Sequence, residues 1–147
     1  IEVASKFLPE GQVIGSLQSR IADQRRSFTS KSSERRLAVP MVVLVNEGTA
    51  AGSEHLAAAL QELNRAVVVG NRTFGQGTVQ TILPLSSGQG LKISTVEFRT
   101  PKGQGFHLKG LQPDFPVAGT MPGPGDKEPD VQLQAAVTRL KELVASR

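Results

Sequence analysis

Few side chains in this sequence are equipped for covalent or acid–base chemistry. There is no cysteine, and the only histidines are His55 and His107. This excludes a thiolate nucleophile, a zinc–thiolate centre and a disulfide scaffold. The stretch richest in chemical potential is Gly48-Thr49-Ala50-Ala51-Gly52-Ser53-Glu54-His55. A turn between a buried strand and a helix presents free backbone N–H groups, which stabilise negative charge and so suit ligands and nucleophiles. Most strand–helix junctions have such a turn, so by itself it assigns no activity. Ser53 is the hydroxyl that follows it, but His55, two residues on, points to a different helix face. Ser53 and Glu54 are therefore expected to cap and charge a helix N-terminus. His107 falls in a separate segment. Two isolated histidines without a matched acidic cluster predict no metal site.

The elements that must position this turn are legible from periodicity. The β-branched run Met41 to Val45 predicts a strand buried on both faces at the centre of a sheet. Ala51 to Leu63 carries Leu56, Ala59, Leu60 and Leu63 on one helical face. Ala66 to Gly70 is a second buried strand, so 41–70 forms a βαβ unit with parallel pairing. Thr78 to Leu83 and Leu91 to Arg99 alternate around a Pro/Ser/Gly turn and predict an antiparallel hairpin. A short helix over Glu2 to Leu8, a strand over Gln12 to Ser19 and a short strand over Phe106 to Leu111 complete the core. Residues 118–129, rich in Pro and Gly, predict a linker. Asp130 then caps a last helix with Leu133, Val137, Leu140 and Val144 on one side. The expectation is an α/β fold: a mixed sheet with a βαβ unit, an added antiparallel hairpin and a C-terminal helix. Its core should span 1–117, the linker 118–129 and the helix 130–147.

Length and composition agree. A chain of 147 residues with 38% hydrophobic and 20% charged residues is globular and holds one domain. No apolar run is long enough to span a bilayer. Six basic residues (Arg20, Arg25, Arg26, Lys31, Arg35, Arg36) meet two acidic ones, Asp23 and Glu34, between 20 and 36. That stretch accounts for the whole net charge of +4. Its serines and lack of apolar period predict a mobile, solvated loop. The aromatics are all phenylalanine, with no Trp or Tyr, which argues against stacking on single-stranded nucleic acid. No specific nucleic-acid partner is expected.

The wording of the sequence is more specific than its pattern. Val43 to Ala50, Ser53-Glu54, Thr73-Phe74-Gly75, Gly77-Thr78-Val79-Gln80 and Lys109 to Asp114 closely resemble the carboxyl-terminal processing, or tail-specific, peptidases. The likeness starts at Glu2-Val3-Ala4-Ser5, includes Phe7 to Gly11, and covers most of the chain outside the basic stretch. It implies a serine peptidase with a Ser–Lys dyad, in which a desolvated, neutral lysine deprotonates the serine. It also implies substrates cleaved near their C-termini and a PDZ module in the N-terminal half as an intramolecular partner. Homo-oligomers are possible, no cofactor is needed, and the setting is the periplasm, cell envelope or thylakoid lumen.

By the same resemblance, the nucleophile position is Ala51 and the general-base position is Gln76. The chain departs from the family at both. Ala51 has no hydroxyl, and the Gln76 amide is not a base. Gln80 matches the glutamine that orients the lysine, and Gly52 would give one oxyanion N–H. The expectation is a C-terminal part of such a peptidase that is inactive as written. The alternative is a non-catalytic homologue binding peptides or a hydrophobic ligand on the same fold.

Overall fold

The computed structural model describes residues 1–31, 36–86, 88–119 and 129–146. Two sheets share the chain. Strands β1 (Val13–Ser19), β2 (Arg26–Thr29), β5 (Thr78–Pro84) and β6 (Gly90–Arg99) form an antiparallel sheet in the order β2-β1-β6-β5. Strands β3 (Val42–Val45), β4 (Val67–Gly70) and β7 (Phe115–Pro116) form a parallel sheet in the order β3-β4-β7. Helix α2 (Gly52–Glu62) makes the crossover from β3 to β4. Short helix α1 (Glu2–Ser5) and helix α3 (Val131–Ala145) complete the fold. The α/β architecture is the expected one, with parallel and antiparallel pairing divided between two sheets.

The core is aliphatic and sits around α2. Ala59 and Leu60 of that helix pack with Ala4, Leu8, Ile14 and Ala66, ringed by Phe7, Phe28 and Leu56. On the other side Ala57 packs with Val45 and Val68. These contacts place α2 between the two sheets, and with it the turn that starts at Asn46. Alternation along β4 turns Val69 away from α2, yet Val69 is buried. Helix α3, packed against β3 and β4, covers that face.

Three of these expectations need correction, and one short strand was not expected. Strand β3 is an edge strand among the described residues, and Leu44 is 42% exposed. Its apolar run reads as central because it is apolar on both faces, not because it has two neighbours. Phe106 to Leu111 forms turns, closed by Gly110 N–H to the Phe106 carbonyl at 2.9 Å. The third parallel strand is Phe115–Pro116, two residues too short to leave a periodic signal. The basic stretch contains strand β2, paired with β1 through Val13↔Thr29 and Leu17↔Arg26. Pairing there rests on backbone groups and the Phe28 ring, which the charge pattern conceals; residues 32–35 lie outside the described residues.

The Asp130 cap is present, its Oδ1 accepting from the Leu133 N–H at 2.9 Å. The face that α3 buries is another matter. Gln132 and Ala136 are buried, whereas Leu133, Val137 and Val144 are exposed. Gln132 Nε2 donates to the Val117 and Gly119 carbonyls, and the Arg139 guanidinium lies 4.1 Å above the Phe115 ring. Those polar anchors set the rotation of the helix. The linker expected over 118–129 lies mostly outside the described residues.

Candidate active site

The turn after β3 is built by short polar side chains. Asn46 Oδ1 accepts from the Gly48 N–H at 3.0 Å, and Thr49 Oγ1 accepts from the Asn46 N–H at 3.1 Å. Ala51 closes the turn with φ 52° and ψ −117°. A side-chain-bearing residue at positive φ and such ψ is strained, and strain of this kind is retained where surrounding contacts enforce it. Helix α2 starts at the next residue. The Gly52 N–H has no partner among the described residues and lies at the positive end of the helix dipole.

Glu54 enforces the strained turn. Its side chain is fully buried at 0% exposure. Burying a carboxylate is expensive unless donors surround it, and four do. Oε2 accepts from the Ala51 N–H at 2.9 Å and from the Gln76 N–H at 2.8 Å. Oε1 accepts from the Gly75 N–H at 2.7 Å and from the Thr73 hydroxyl. Residues 51 and 76 are therefore clamped to one carboxylate oxygen, though 25 positions separate them in sequence. The Phe74 N–H adds a bond to the Thr49 carbonyl at 2.9 Å.

The segment from Thr73 to Gly77 can run this close only because of its glycines. A Cβ on Gly75 would lie 2.8 Å from the Gly110 nitrogen, and one on Gly77 would lie 2.7 Å from the His107 nitrogen. Thr73 links the layers, its Oγ1 accepting from the Leu111 N–H at 2.7 Å. Asp114 continues the anchoring: Oδ2 accepts from the Val68 N–H at 2.8 Å and Oδ1 from Gln61 Nε2 at 2.9 Å. Gln76, two residues before β5, and Gln80, within it, are both exposed.

The remaining candidates separate cleanly. Ser53 is exposed on the first turn of α2. His55 points away from Ala51, with its ring 4.8 Å from that of Phe98 and Nε2 donating to the Arg99 carbonyl at 3.2 Å. Burial holds its pKa below the usual imidazole value, with the Arg99 hydrogen bond opposing. His107, which the sequence left unplaced, has its backbone packed against Gly77. No group of three His, Asp or Glu side chains among the described residues is placed to hold a metal. An apolar cavity of about 330 Å³, lined by Ile1, Val3, Ile14, Phe28, His55 and Phe98, opens beside Gly52. Sequence reasoning took Glu54 for a capping residue and missed its larger role. The signal was a carboxylate within an otherwise apolar helix face, followed by a Thr-Phe-Gly-Gln-Gly segment.

Residues 1–117 match the sequence pattern of peptidase family S41. The chain belongs to that family. It is 37% identical over 147 residues to a carboxyl-terminal-processing protease of Synechocystis, covering 99% of this chain and 34% of that protein. It is 46% identical over 117 residues to a chloroplastic C-terminal processing peptidase of Tetradesmus obliquus, covering 78% of this chain and 24% of that protein. The solved photosystem II D1 C-terminal processing protease matches with a TM-score of 0.64 at 32% identity, over 77% of this chain and 29% of that one. A putative peptidase from Parabacteroides merdae gives 0.75 at 25% identity, over 94% and 45%. This S41 chain thus spans about a third or less of the length of the curated relatives quoted.

Proposed function

We propose that residues 1–117 are the C-terminal part of a C-terminal processing endopeptidase core in which the hydrolytic dyad is substituted. Ala51 stands at the nucleophile position, Gln76 at the general-base position, Gln80 at the orienting glutamine and Gly52 at an oxyanion N–H. The observation supporting this most is the Glu54 clamp, which holds the strained Ala51 turn against the Gln76 backbone. A hydroxyl at 51 would sit at the N-terminus of α2, where developing negative charge is stabilised. A lysine at 76, desolvated by a bound substrate, would supply the base. With alanine and glutamine there, the site binds polypeptide and does not hydrolyse it. The whole protein would act on protein C-termini outside the cytosol, with a PDZ module in its N-terminal half presenting them.

Restoration tests this. In the full-length protein, Ala51→Ser with Gln76→Lys is expected to produce turnover of an unstructured protein substrate. Ala51→Ser alone should stay near background, because nucleophile and base act as a unit. Equal activity from the single and double variants would remove Gln76 from the base position. No activity from the double variant, with its fold intact, would favour a binding protein whose pocket has diverged.

A further inference from the structure

Among the described residues the antiparallel sheet ends in an edge strand, β5, which begins two residues after Gln76. Which of its backbone groups face outward follows from two anchors. The Phe98 N–H donates to the Gly77 carbonyl, and the Leu85 N–H donates to the Gln89 carbonyl, both at 2.8 Å. Antiparallel pairing alternates along a strand. Between those anchors Val79, Thr81 and Leu83 turn their backbone groups toward β6, while Thr78, Gln80 and Ile82 turn theirs outward. The register shift after Val79 adds its extra residue, Thr95, to β6 and leaves this alternation intact. Pro84 is the next outward position. A proline there costs no ladder bond, as expected on an open edge.

The edge also presents apolar side chains. Ile82 is 66% exposed, and Val79, Leu83, Leu91 and Ile93 are exposed on the same hairpin. The hairpin strands pack mainly on each other and, through β6, on β1. An open strand of this kind recruits extended chains by strand addition, with backbone bonds giving affinity and alternate side chains giving selectivity. We infer that the outward edge of β5 is the docking strand for substrate. An extended segment of unfolded polypeptide with alternating apolar residues pairs with Thr78, Gln80 and Ile82. The strand it joins leads directly to Gln76 and, through the Glu54 clamp, to Ala51. The inference rests on the peptidase reading for its direction, but the pairing itself is independent of hydrolysis.

The chain as it stands, with Ala51 and Gln76, suits a binding experiment because the peptide is not consumed. The probe is a synthetic peptide of about ten residues alternating Val and Thr, with a free carboxylate, titrated into labelled protein by NMR. The amides of Thr78, Gln80 and Ile82 should shift first, followed by those of Gln76 and Gly52. N-methylation at alternate peptide positions should abolish binding in one phase and spare it in the other. Ile82→Pro removes an outward donor and leaves the β6 pairing of Thr81 and Leu83 in place; it should weaken binding at least about tenfold. Ile82→Ala keeps the N–H and should lose less. Shifts centred on β2 or β3, no binding up to peptide solubility, or equal affinity of Ile82→Pro and wild type would each overturn the inference. If the restored full-length double variant fails to hydrolyse while β5 still binds, the docking strand stands and the peptidase reading falls. If it hydrolyses and Ile82→Pro leaves KM unchanged, the reverse holds.

Discussion

The parallel and antiparallel sheets treat their free edges differently. Strand β3 ends the parallel sheet with Val42, Val43, Leu44 and Val45, bears no charge or proline, and borders an apolar groove of about 700 Å³ shared with Phe7, Ala57 and Leu60. Strand β5 ends the antiparallel sheet with Thr78, Gln80, Ile82 and Pro84 as its outward positions, Ile82 being the one aliphatic among them. An edge that must stay open to water carries polar residues and proline; one that must be covered carries aliphatics. The first has the composition of a strand that packs on both faces, the second that of one that can stay open. The candidate site lies where the two sheets meet. Ala51 caps the parallel sheet's crossover helix, and Gln76 leads into the antiparallel hairpin.

Glu54 is the seam between them, so breaking it should have the largest effect. Glu54→Ala leaves buried donors at Ala51, Thr73, Gly75 and Gln76 without their acceptor. Each buried donor left unpaired costs about 1–3 kcal/mol, and a total loss on the order of 3 kcal/mol or more is expected. Urea denaturation measures it. A loss below about 1 kcal/mol would mean that water replaces the carboxylate and that the clamp does not hold the turn. Backbone relaxation of residues 49–51 and 73–77 in the same variant should rise together if they are one unit.

This seam also marks the limit of what was legible in the sequence. The βαβ unit, the hairpin and the Asp130 cap follow from local periodicity and cap chemistry, and each forms close to its expected boundaries. Family resemblance brought out Ala51 and Gln76, which no local pattern distinguishes from an ordinary turn and an ordinary loop. What escaped was non-local. The edge status of β3 depends on which strands pair, and its composition is that of a buried strand either way. The rotation of α3 depends on Gln132 and Arg139 finding partners on β7 and the segment after it. The reach of Glu54 depends on a segment about twenty residues on, whose glycines gave no sign of what they approach.

Strand β3 offers the next test. If its edge is a surface that must be covered, the chain should self-associate at high micromolar concentration, by pairing of β3 with another copy. Light scattering after size-exclusion chromatography would show a mass rising with concentration. Leu44→Lys places a charge at a half-exposed position of the β3 edge, on the face that α3 partly covers, and should shift the equilibrium to monomer with little effect on peptide binding at β5. A monodisperse wild-type monomer at the same concentration would mean that β3 is protected in solution. The contrast between the two edges would then collapse.

The smallest expected effect lies at the second seam, where His55 of α2 reaches the antiparallel sheet. Its Nε2 donates to the Arg99 carbonyl of β6, and a Cβ on Gly15 of β1 would lie 2.1 Å from that nitrogen. Burial lowers the pKa of His55 below its ordinary value of 6.5. In the unfolded chain the ring takes up a proton near 6.5, whereas the folded chain resists until lower pH. The contribution to stability is therefore full above about pH 6.5 and is lost as pH falls from there toward the folded value. His55→Gln keeps an amide donor for the Arg99 carbonyl and removes the titration. Urea midpoints of wild type and variant, compared between about pH 8 and pH 5, should show the wild type losing more on acidification. Carboxylates titrate alike in both proteins and cancel in the difference. A parallel pair of curves would show that the His55 proton equilibrium is untouched by folding. The contact between α2 and the antiparallel sheet would then be wetter than its packing against Phe98 implies.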